Sequence, residues 1–552
     1  MNDTPGAEVK TGIAALEDIF KDINRADAPG AVVGVARHGK TIYRRAFGLS
    51  SIEHSTANTP HTRMRIGSTS KHFTCVAALL LAEDGKLDID APASSYLPRL
   101  PALKGTPTLR DFMMHTSGYR CSLELAFVGN GFATQPKGWS ERALYRQTDV
   151  NFAPGRGQSY CNSGYHLLSL VIERVSGVPF EQFLKTRIFD VLGMKDTDSV
   201  PTDKTIVPGM ATLHLKRPGE THWVRDIFPS DEVRGEGGII STIDDMLLWL
   251  AHFNGPKLVG SAETWHQMLL PAQLENGLVS VYSLGLNRSR YRSVEVIHHS
   301  GGVAGGACQM LTVPSHGLDI IIITNGGMIS PAAAASKIVD TLLGDDVLGP
   351  RPLIATSERF KHLIGARYHG ASGMTIGFDR VGDMLGFSYL ASPPAPILRD
   401  EGNTLSIGFE EIAQGPLVMQ VGDLAPTAEG DAPEYIPFSE SGYVERLERL
   451  PMPAPATADA GAALIGRFRS TDLDAEAEVA FEDGILVMRL NGGYGRRVLS
   501  LTALSDTLFG VRDVEEPFSS PLALTADRAG GASDAFQLDA GRARRLRFER
   551  VS

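Results

Sequence analysis

The sequence predicts an α+β domain followed by two small antiparallel β-barrels, and three observations lead to this fold class. Strand-like segments stand at both ends of the first part of the chain, with helix-like segments between them. After about residue 352, helical periodicity fades into short alternating segments separated by glycine, proline and aspartate. Two segments of this second part resemble each other. We therefore predict three domains, over residues 1–352, 353–455 and 456–552.

The strands of the first domain are predicted from short apolar runs bounded by turn residues. The turn His38-Gly39-Lys40 separates two such runs and indicates a β-hairpin. Three further runs follow near the end of this part, and the last of them, residues 318–324, ends at Asn325-Gly326-Gly327. Because strands begin and end this part of the chain, we expect one sheet that joins both of its ends. The strand predictions cover residues 31–37, 41–47, 293–297, 307–313 and 318–324.

The helices of the first domain have recognisable ends. Residues 73–82 are strongly apolar and predict a buried helix that Gly85 closes. Thr108 and Asp111 have the spacing of a capping box at a helix start. Residues 163–176 carry apolar side chains on a broad face before Gly177, which predicts another packed helix.

The second part of the chain contains a weak internal repeat. "LIGARYHGASGMTIGF" (363–378) resembles "LIGRFRSTDLDAEAEVAF" (464–481), and the proline- and alanine-rich residues 451–463 between them have the composition of a linker. Two similar all-β modules suggest barrels, because closure removes exposed strand edges. A duplication explains the likeness, although chance similarity of two strand patterns is the alternative.

Composition excludes several classes of function. The 552 residues are 43% hydrophobic and 21% charged, and the formal net charge is −11. A negative charge argues against nucleic acid, which needs a cationic surface. No run of about 18 apolar residues predicts a membrane span, and no cationic and apolar leader begins the sequence. We therefore expect a cytoplasmic protein without nucleic acid or membrane as partner.

Neither the cysteines nor the histidines indicate a metal site or another cofactor. The His298-His299 pair has no carboxylate or cysteine at ligand spacing nearby. None of the four cysteines forms a C-x-x-C pair. Their even number allows two disulfides, but a large chain without an export signal favours reduced, mostly buried thiols. The cysteines are Cys75, Cys121, Cys161 and Cys308.

The first candidate for chemistry is the pair Ser68 and Lys71 in "IGSTSKHFTC". Residues i and i+3 share a helix face, so the two side chains would stand side by side. A serine hydroxyl needs a base close to it, and a lysine serves as one when burial lowers its pKa. The apolar residues after Lys71 supply such burial. Taken alone, S-x-x-K fits the polar start of a buried helix better than a catalytic pair.

Two further candidates lie far from this pair in the sequence. Tyr160 and Asn162 alternate in an extended segment just before a helix and would face one cleft. His299 follows a strand and precedes a glycine run, where Gly301 lets a substrate backbone lie close to the strand. A tyrosine can relay a proton, whereas an isolated histidine is more often structural. Each candidate is therefore weak by itself.

Together, the three motifs resemble those of the penicillin-recognising serine hydrolases. S-x-x-K at 68–71, Y-x-N at 160–162 and H-x-G at 299–301 occur in the order of that superfamily, which includes class C β-lactamases, D,D-peptidases and D-aminopeptidases. The resemblance covers roughly residues 15–345 and implies a β-lactamase-like fold for this part. Further similar segments are "HTSG" (115–118), "LGMKDT" (192–197) and "GEGGIISTIDDM" (235–246).

Within that superfamily, the sequence is most similar to the bacterial D-aminopeptidases. "SLGLN" (283–287) resembles their sequences and implies Asn287 as a residue of the cleft. Those enzymes carry two C-terminal eight-stranded barrels, in agreement with the repeat. The resemblance also implies a homodimer.

The resemblance implies a role for each motif residue. Ser68 would attack an amide carbonyl, and Lys71 and Tyr160 would share the proton as a coupled pair. Asn162 would hold Lys71 and the substrate carbonyl. The backbone N–H groups of Ser68 and Gly302 would form the oxyanion hole.

The third motif bears on the substrate. Penicillin-binding relatives usually have lysine where this chain has His299, and a histidine with a pKa of about 6.5 is mostly neutral at pH 7. We therefore expect a peptide or amide substrate with a free amino group, for which a carboxylate is the natural partner. The candidates are Glu236, Glu515 and Glu516. The latter two lie in residues 512–521, a segment that fits a loop reaching the cleft and a solvated turn equally well.

The function predicted is that of a metal-independent serine aminopeptidase that releases an N-terminal D-amino acid through an acyl-enzyme on Ser68. Two alternatives stay open from the sequence. One is a D-amino-acid amidase or an esterase with the same chemistry. The other is a penicillin-binding sensor that acylates without turnover.

Overall fold

The computed structural model describes residues 5–217, 219–407, 419–515, 521–528 and 531–551. Within these ranges no helix combines the length and the apolar character needed to cross a membrane. The helices are α1 (Pro5–Phe20), α2 (Lys71–Glu83), α3 (Leu109–Met113), α4 (Ser122–Asn130), α5 (Trp139–Tyr145), α6 (Asn162–Ser176), α7 (Phe180–Leu184), α8 (Asp190–Leu192), α9 (Ile243–Asn254), α10 (Ala262–Leu269), α11 (Pro331–Leu343), α12 (Asp345–Leu348) and α13 (Thr457–Gly461).

The strands of the first part form one large sheet and several short pairings. They are β1 (Ala31–Arg37), β2 (Lys40–Phe47), β3 (Leu49–Ser51), β4 (Thr56–Ala57), β5 (Met64–Arg65), β6 (Asp198–Ser199), β7 (His214–Leu215), β8 (Val224–Arg225), β9 (Ile239–Ser241), β10 (Asn287–Tyr291), β11 (Val294–Val303), β12 (Gly306–Val313) and β13 (Leu318–Thr324).

The large sheet has the order β10-β11-β12-β13-β1-β2, and its neighbouring strands are antiparallel. The predicted hairpin is present as β1 and β2, with positive φ angles at His38 (49°) and Gly39 (74°) that suit a tight turn. Pairing of β1 with β13 confirms that one sheet joins both ends of this part. The α+β class is therefore confirmed.

Helices cover both faces of the large sheet. Along β1, Val32 and Ala36 pack into one apolar cluster with α2, α6 and α9. Val33 and Val35 point to the opposite face and pack with α1 and α11. This alternation follows from the period of two in a strand. The sheet is thus buried on both sides and holds its strand ends in fixed positions.

The structure confirms the predicted helices and extends one predicted strand. The capping box at Thr108 and Asp111 is present, and Gly85 and Gly177 follow their helices with positive φ. The strand expected at residues 293–297 runs on as β11 to Val303, because its histidine and glycine residues stay paired with β12. The prediction ended too early, since glycine usually weakens a strand. All four cysteines are buried and free, as expected.

The second part contains two eight-stranded antiparallel units. The first consists of β14 (Arg367–His369), β15 (Thr375–Val381), β16 (Met384–Tyr389), β17 (Leu398–Asp400), β18 (Leu405–Ile407), β19 (Met419–Val421), β20 (Tyr435–Glu440) and β21 (Tyr443–Arg449). The second consists of β22 (Gly466–Ser470), β23 (Ala475–Glu482), β24 (Ile485–Asn491), β25 (Arg496–Ala503), β26 (Leu508–Asp513), β27 (Leu522–Ala526), β28 (Ala535–Ala540) and β29 (Ala543–Arg550).

The two units share one strand arrangement. In both, the first strand pairs with the last, as β14 with β21 and β22 with β29. The second unit is a closed barrel. The first unit is a sheet with the strand order β16-β15-β14-β21-β20-β19-β18-β17, in which β16 and β17 are the two edge strands. This common order supports a duplication and confirms the predicted pair of small barrels. Residues 451–463, predicted as a linker, include the short helix α13, which packs against β24 and β25.

The closed barrel shares its hydrophobic core with the first part of the chain. Leu125 and Val128 of α4 and Trp139 of α5 belong to the same buried cluster as the barrel interior. An ion pair inside this contact joins Arg120 Nη1 to Asp472 Oδ2 at 2.6 Å, with both side chains almost fully buried. The closed barrel is therefore seated firmly on α4 and α5. The domain boundaries themselves stay predictions.

Candidate active site

Ser68 and Lys71 stand together where a short 3-10 helix, Gly67–Ser70, runs into α2. Lys71 Nζ lies 3.0 Å from Ser68 Oγ. The same Nζ donates to Asn162 Oδ1 at 2.9 Å and to the backbone carbonyl of Glu236 at 2.6 Å. The amine is thus fixed beside the hydroxyl by two acceptors. This is the side-by-side arrangement that the sequence predicted.

The environment of Lys71 favours a neutral amine. Burial lowers the pKa of Lys71 to about 7, Glu236 and Cys121 oppose this shift, and the Arg542 cation adds to it. Nζ also lies 4.8 Å from the centre of the Tyr160 ring. At neutral pH a substantial fraction of Lys71 is therefore deprotonated, and a neutral amine can take a proton from the Ser68 hydroxyl.

Tyr160 reaches the same place from the segment before α6. Cys161 is extended, with φ −130° and ψ 107°, and Asn162 is the first residue of the helix. Burial raises the pKa of the Tyr160 phenol, whereas a hydrogen bond with Ser68 and the charge of Arg542 lower it. The phenol is therefore protonated at neutral pH and can donate a proton. Sequence alternation brings Tyr160 and Asn162 to one site, around Lys71.

His115, which lies in the "HTSG" segment, supports Tyr160 from behind. Its ring lies 4.3 Å from the Tyr160 ring and 4.7 Å from the Tyr282 ring, measured between centres. His115 Nδ1 accepts a hydrogen bond from the Cys161 N–H at 3.1 Å. Burial, together with the Lys71 charge, holds the pKa of His115 well below its usual value. His115 is therefore a neutral ring that fixes the backbone between Tyr160 and Asn162.

His299 lies on β11 and is neutral as well. Its Nδ1 is 2.6 Å from the Ser300 carbonyl oxygen, which can only accept, so Nδ1 carries the proton. Nε2 then accepts from the Tyr282 hydroxyl at 3.1 Å. Burial and the nearby Lys71 charge hold the pKa of His299 well below its usual value. His298 points to the other side of the strand, where it contacts Ser289.

Glycine lets β11 lie directly against the turn that carries Ser68. A Cβ added to Gly301 would meet the Ile66 carbonyl oxygen at 1.8 Å, and one added to Gly67 would meet the Gly302 nitrogen at 2.8 Å. Gly302 itself faces open space. The backbones of the two segments are therefore as close as glycine alone allows. This places Gly302 against Gly67, the residue before Ser68, and the oxyanion hole itself stays a prediction.

These residues open into a cavity of about 520 Å³ that both C-terminal units help to line. Ser68, Tyr160 and His299 contribute from the first part of the chain. Tyr389 and Glu440 come from the first eight-stranded unit, and Arg542 comes from the closed barrel. A volume of this size suits a small ligand. The cavity is thus completed by residues that are far apart in the sequence.

Two of the predicted acidic residues, Glu236 and Glu515, are not among the described residues that line this cavity. Glu236 is turned towards His166, with Oε1 3.2 Å from His166 Nδ1. Burial would raise the pKa of Glu236, but the His166 partner outweighs it and lowers the pKa. Glu515 is exposed and is absent from the described lining of the cavity. Glu516 lies outside the described residues.

Asn287 is also separate from the cavity. It begins β10, is buried, and pairs with His298 in the register of the sheet. Its side-chain amide has no hydrogen-bond partner within the described part of the chain. The structure therefore brings Ser68, Lys71, Tyr160, Asn162 and His299 together with Gly301 and Gly302. It leaves the Glu236 side chain, Glu515 and Asn287 outside this cluster.

The sequence analysis missed three charged residues that line the cavity, namely Glu124, Glu440 and Arg542. Glu124 on α4 accepts from Arg542 Nε at 3.1 Å, and Glu440 forms a buried ion pair with Arg544. None of them belongs to a motif with local spacing. Glu124 and Arg542 are 418 positions apart, so only the docking of the barrel brings them together. His115 could have been found from the sequence, because it begins "HTSG", one of the segments that resemble the penicillin-recognising serine hydrolases.

The fold and the site together define the class of protein. Residues 16–340, more than half of the chain, match the family described as Beta-lactamase, so the chain belongs to the beta-lactamase family. This confirms its membership of the penicillin-recognising serine hydrolases.

Individual relatives extend the likeness into the barrels. A D-aminopeptidase of Brucella anthropi is 26% identical over 434 residues, which cover 73% of this chain and 78% of the relative. A D-aminopeptidase of Cereibacter sphaeroides is 23% identical over 546 residues, which cover 97% of this chain and 98% of the relative. The structure of the octameric penicillin-binding protein homologue from Pyrococcus abyssi aligns with a TM-score of 0.53 at 18% identity, over 92% of this chain and 98% of that one. This last likeness shows the fold.

Proposed function

We propose that this protein is a serine aminopeptidase that releases an N-terminal D-amino acid from a small peptide or amide. The observation that carries the proposal is the buried amine of Lys71, 3.0 Å from Ser68 Oγ, with a pKa lowered to about 7. Such an amine can act as a base without a metal ion. The two relatives named D-aminopeptidase supply the class of substrate.

The reaction would proceed through an acyl-enzyme. Ser68 Oγ bonds to the carbonyl carbon while its proton passes to the Lys71 amine. The tetrahedral intermediate then collapses, the C–N bond breaks, and the leaving amine takes a proton from the Lys71–Tyr160 pair. In the second half, water attacks the ester carbon and loses its proton to the same pair. The bond between Ser68 Oγ and that carbon then breaks, Oγ takes the proton back, and the D-amino acid is released. Backbone N–H groups of Ser68 and Gly302 would stabilise the oxyanion, each contributing on the order of 10²–10³ in rate.

The neutral third motif supports a substrate that carries an amine. His299 is uncharged, so this side of the site neither binds a carboxylate nor repels an ammonium group. Glu124 and Glu440 line the cavity. Each is paired with an arginine, but a carboxylate offers about four lone-pair sites and can accept from an ammonium as well. We propose these two as amine partners beside the sequence-based candidates Glu236, Glu515 and Glu516, which stay predictions.

The proposal is tested with D-alanine p-nitroanilide and its L-enantiomer. We expect hydrolysis of the D form and much slower release from the L form. Ser68→Ala should lower the rate on the order of 10⁴-fold or more, because the attacking group is lost. Equal rates for the two enantiomers, or an unchanged rate for Ser68→Ala, would contradict the proposal. D-alanine amide and D-alanine methyl ester, assayed in parallel, rank the amidase and esterase alternatives.

The assembly is a separate proposal. The family resemblance implies a homodimer, whereas the penicillin-binding protein homologue from Pyrococcus abyssi is octameric. Light scattering of the purified chain at several concentrations distinguishes a dimer from a monomer or a larger ring.

A further inference from the structure

The closed barrel inserts one arginine into the active-site cavity. Strands β28 and β29 pair through Ala540 and Ala543, so Gly541 and Arg542 form the two-residue turn between them. Both turn residues line the cavity. Of the described residues that line it, Arg542 is the one lysine or arginine. The cavity therefore receives its positive charge from the tip of a barrel hairpin.

The hairpin tip is held firmly against the first part of the chain. The Arg542 carbonyl accepts from the Cys121 N–H at 3.0 Å and from Asn151 Nδ2 at 3.2 Å. Asn151 Oδ1 accepts in turn from the Arg544 N–H at 2.9 Å. Arg120 donates from Nε to the Arg544 carbonyl at 2.9 Å. A turn fixed by its backbone on both sides presents its side chain in a defined position.

One edge of the Arg542 guanidinium is occupied and the rest is available. Nε donates to Glu124 Oε2 at 3.1 Å, and Glu124 is almost completely buried. The Arg542 side chain keeps 32% of its surface exposed. Its two terminal nitrogens have no hydrogen-bond partner within the described part of the chain. The ion pair with Glu124 therefore orients the side chain and leaves a planar fork of N–H donors at the cavity.

The guanidinium of Arg542 lies on the side of the site where the leaving group of the substrate would bind. The guanidinium carbon of Arg542 lies 6.0 Å from the centre of the Tyr160 ring. Tyr160 belongs to the pair that would protonate the leaving amine. Because an arginine fork matches the geometry of a carboxylate, a carboxylate on the leaving group is the fitting ligand.

We propose that Arg542 binds the free carboxylate of the leaving amino acid, so that the preferred substrates are dipeptides with an N-terminal D-residue. This inference rests on the proposed aminopeptidase function and names its substrate class. In a dipeptide the carboxylate is one residue from the scissile nitrogen, within reach of a cation close to Tyr160. In a longer peptide that position holds a neutral amide, and a cavity of about 520 Å³ leaves limited room beyond it.

The experiment compares three peptides that differ in one group each. The substrates are D-Ala-Gly, D-Ala-Gly amide and N-acetyl-D-Ala-Gly, assayed with the full-length protein. A charge-assisted hydrogen bond contributes about 1.5–3 kcal/mol, so the free acid should exceed the amide in kcat/KM by about tenfold to hundredfold. Arg542→Gln should remove this preference, mainly through KM, and Arg542→Lys should retain part of it. Arg547→Gln, on the same hairpin but paired with Glu549 at the surface, serves as the matched control.

The ratio of acid to amide separates recognition from structural damage, because damage lowers both rates equally. Equal rates for acid and amide with the unmodified protein would overturn the inference, even if no Arg542 variant folds. An Arg542→Gln variant that keeps the wild-type ratio would overturn it too. Cleavage of the N-acetyl peptide as fast as D-Ala-Gly contradicts the aminopeptidase proposal instead. Failure of the two proposals is thus distinguishable.

Discussion

At the scale of single residues, the account depends on the protonation of Lys71. An S-x-x-K pair has two interpretations in a sequence, and the structure separates them through burial and contacts. Lys71 is fully buried, and its Nζ has a carbonyl and an amide oxygen as fixed acceptors beside Ser68. A lysine whose pKa is held at about 7 is suited to proton transfer rather than to a surface ion pair.

The lowered pKa predicts the pH dependence of the rate. Neutral Lys71 is the active form, and burial lowers the pKa of Lys71 to about 7, so kcat/KM for D-alanine p-nitroanilide should fall as the pH drops below about 7. Because Lys71 and Tyr160 interact, the acid limb reports the pair rather than one residue. Arg542 lowers the Lys71 pKa, so Arg542→Gln should shift the limb to higher pH. A flat profile between about pH 5.5 and 8 would exclude Lys71 as the base.

At the scale of elements, the site depends on the close approach of β11 to the 3-10 helix that carries Ser68. The sequence predicted this contact only in part. The glycine run after His299 was recognised, but the predicted strand ended at residue 297, before that run. The physical reason is that local propensity disfavours glycine in strands, whereas pairing with β12 and packing on Gly67 require it. Long-range contacts outweighed the local preference.

Gly301→Ala tests this close approach. The new Cβ would meet the Ile66 carbonyl oxygen at 1.8 Å, so the strand must move away from Ser68. We expect a loss of about 1–3 kcal/mol in the free energy of unfolding and a fall in kcat on the order of 10²-fold. Gly327→Ala is the matched control, because a Cβ there meets no atom within 4 Å. Full activity of Gly301→Ala would mean that the two backbones are not constrained as described.

At the scale of the whole molecule, the barrels belong to the site. The sequence predicted the two barrels and the motif residues because each has a local signature: a repeat, a fixed spacing, a glycine run. It could not predict Arg542 or Glu124, since their meeting depends on how the closed barrel docks on α4. The predicted loop at residues 512–521 and the observed turn at Gly541 and Arg542 belong to the same barrel. The sequence analysis therefore predicted that a loop of the last barrel reaches the cleft, but it did not identify Gly541 and Arg542 as the residues of that loop.

The docking of the barrel predicts a large stability effect at one buried ion pair. Asp472 binds Arg120 Nη1 at 2.6 Å and accepts from the Thr148 backbone N–H at 2.8 Å. Asp472→Asn leaves the buried Arg120 charge uncompensated, which should cost about 3–5 kcal/mol in the free energy of unfolding. Asp474→Asn removes only a partly exposed pair with Arg146, so about 0–1 kcal/mol is expected. Urea titrations of both variants measure the difference, and equal effects would show that the contact is not a structural anchor.

The central claim is that Ser68 becomes acylated by a D-aminoacyl group, and rapid-quench mass spectrometry of the protein tests it most directly. After mixing with D-alanine p-nitroanilide, we expect a D-alanyl adduct that peptide mapping locates on Ser68. The adduct should be absent from Ser68→Ala and should decay as product is released. An adduct on another residue, or turnover of the D substrate by Ser68→Ala, would contradict the account.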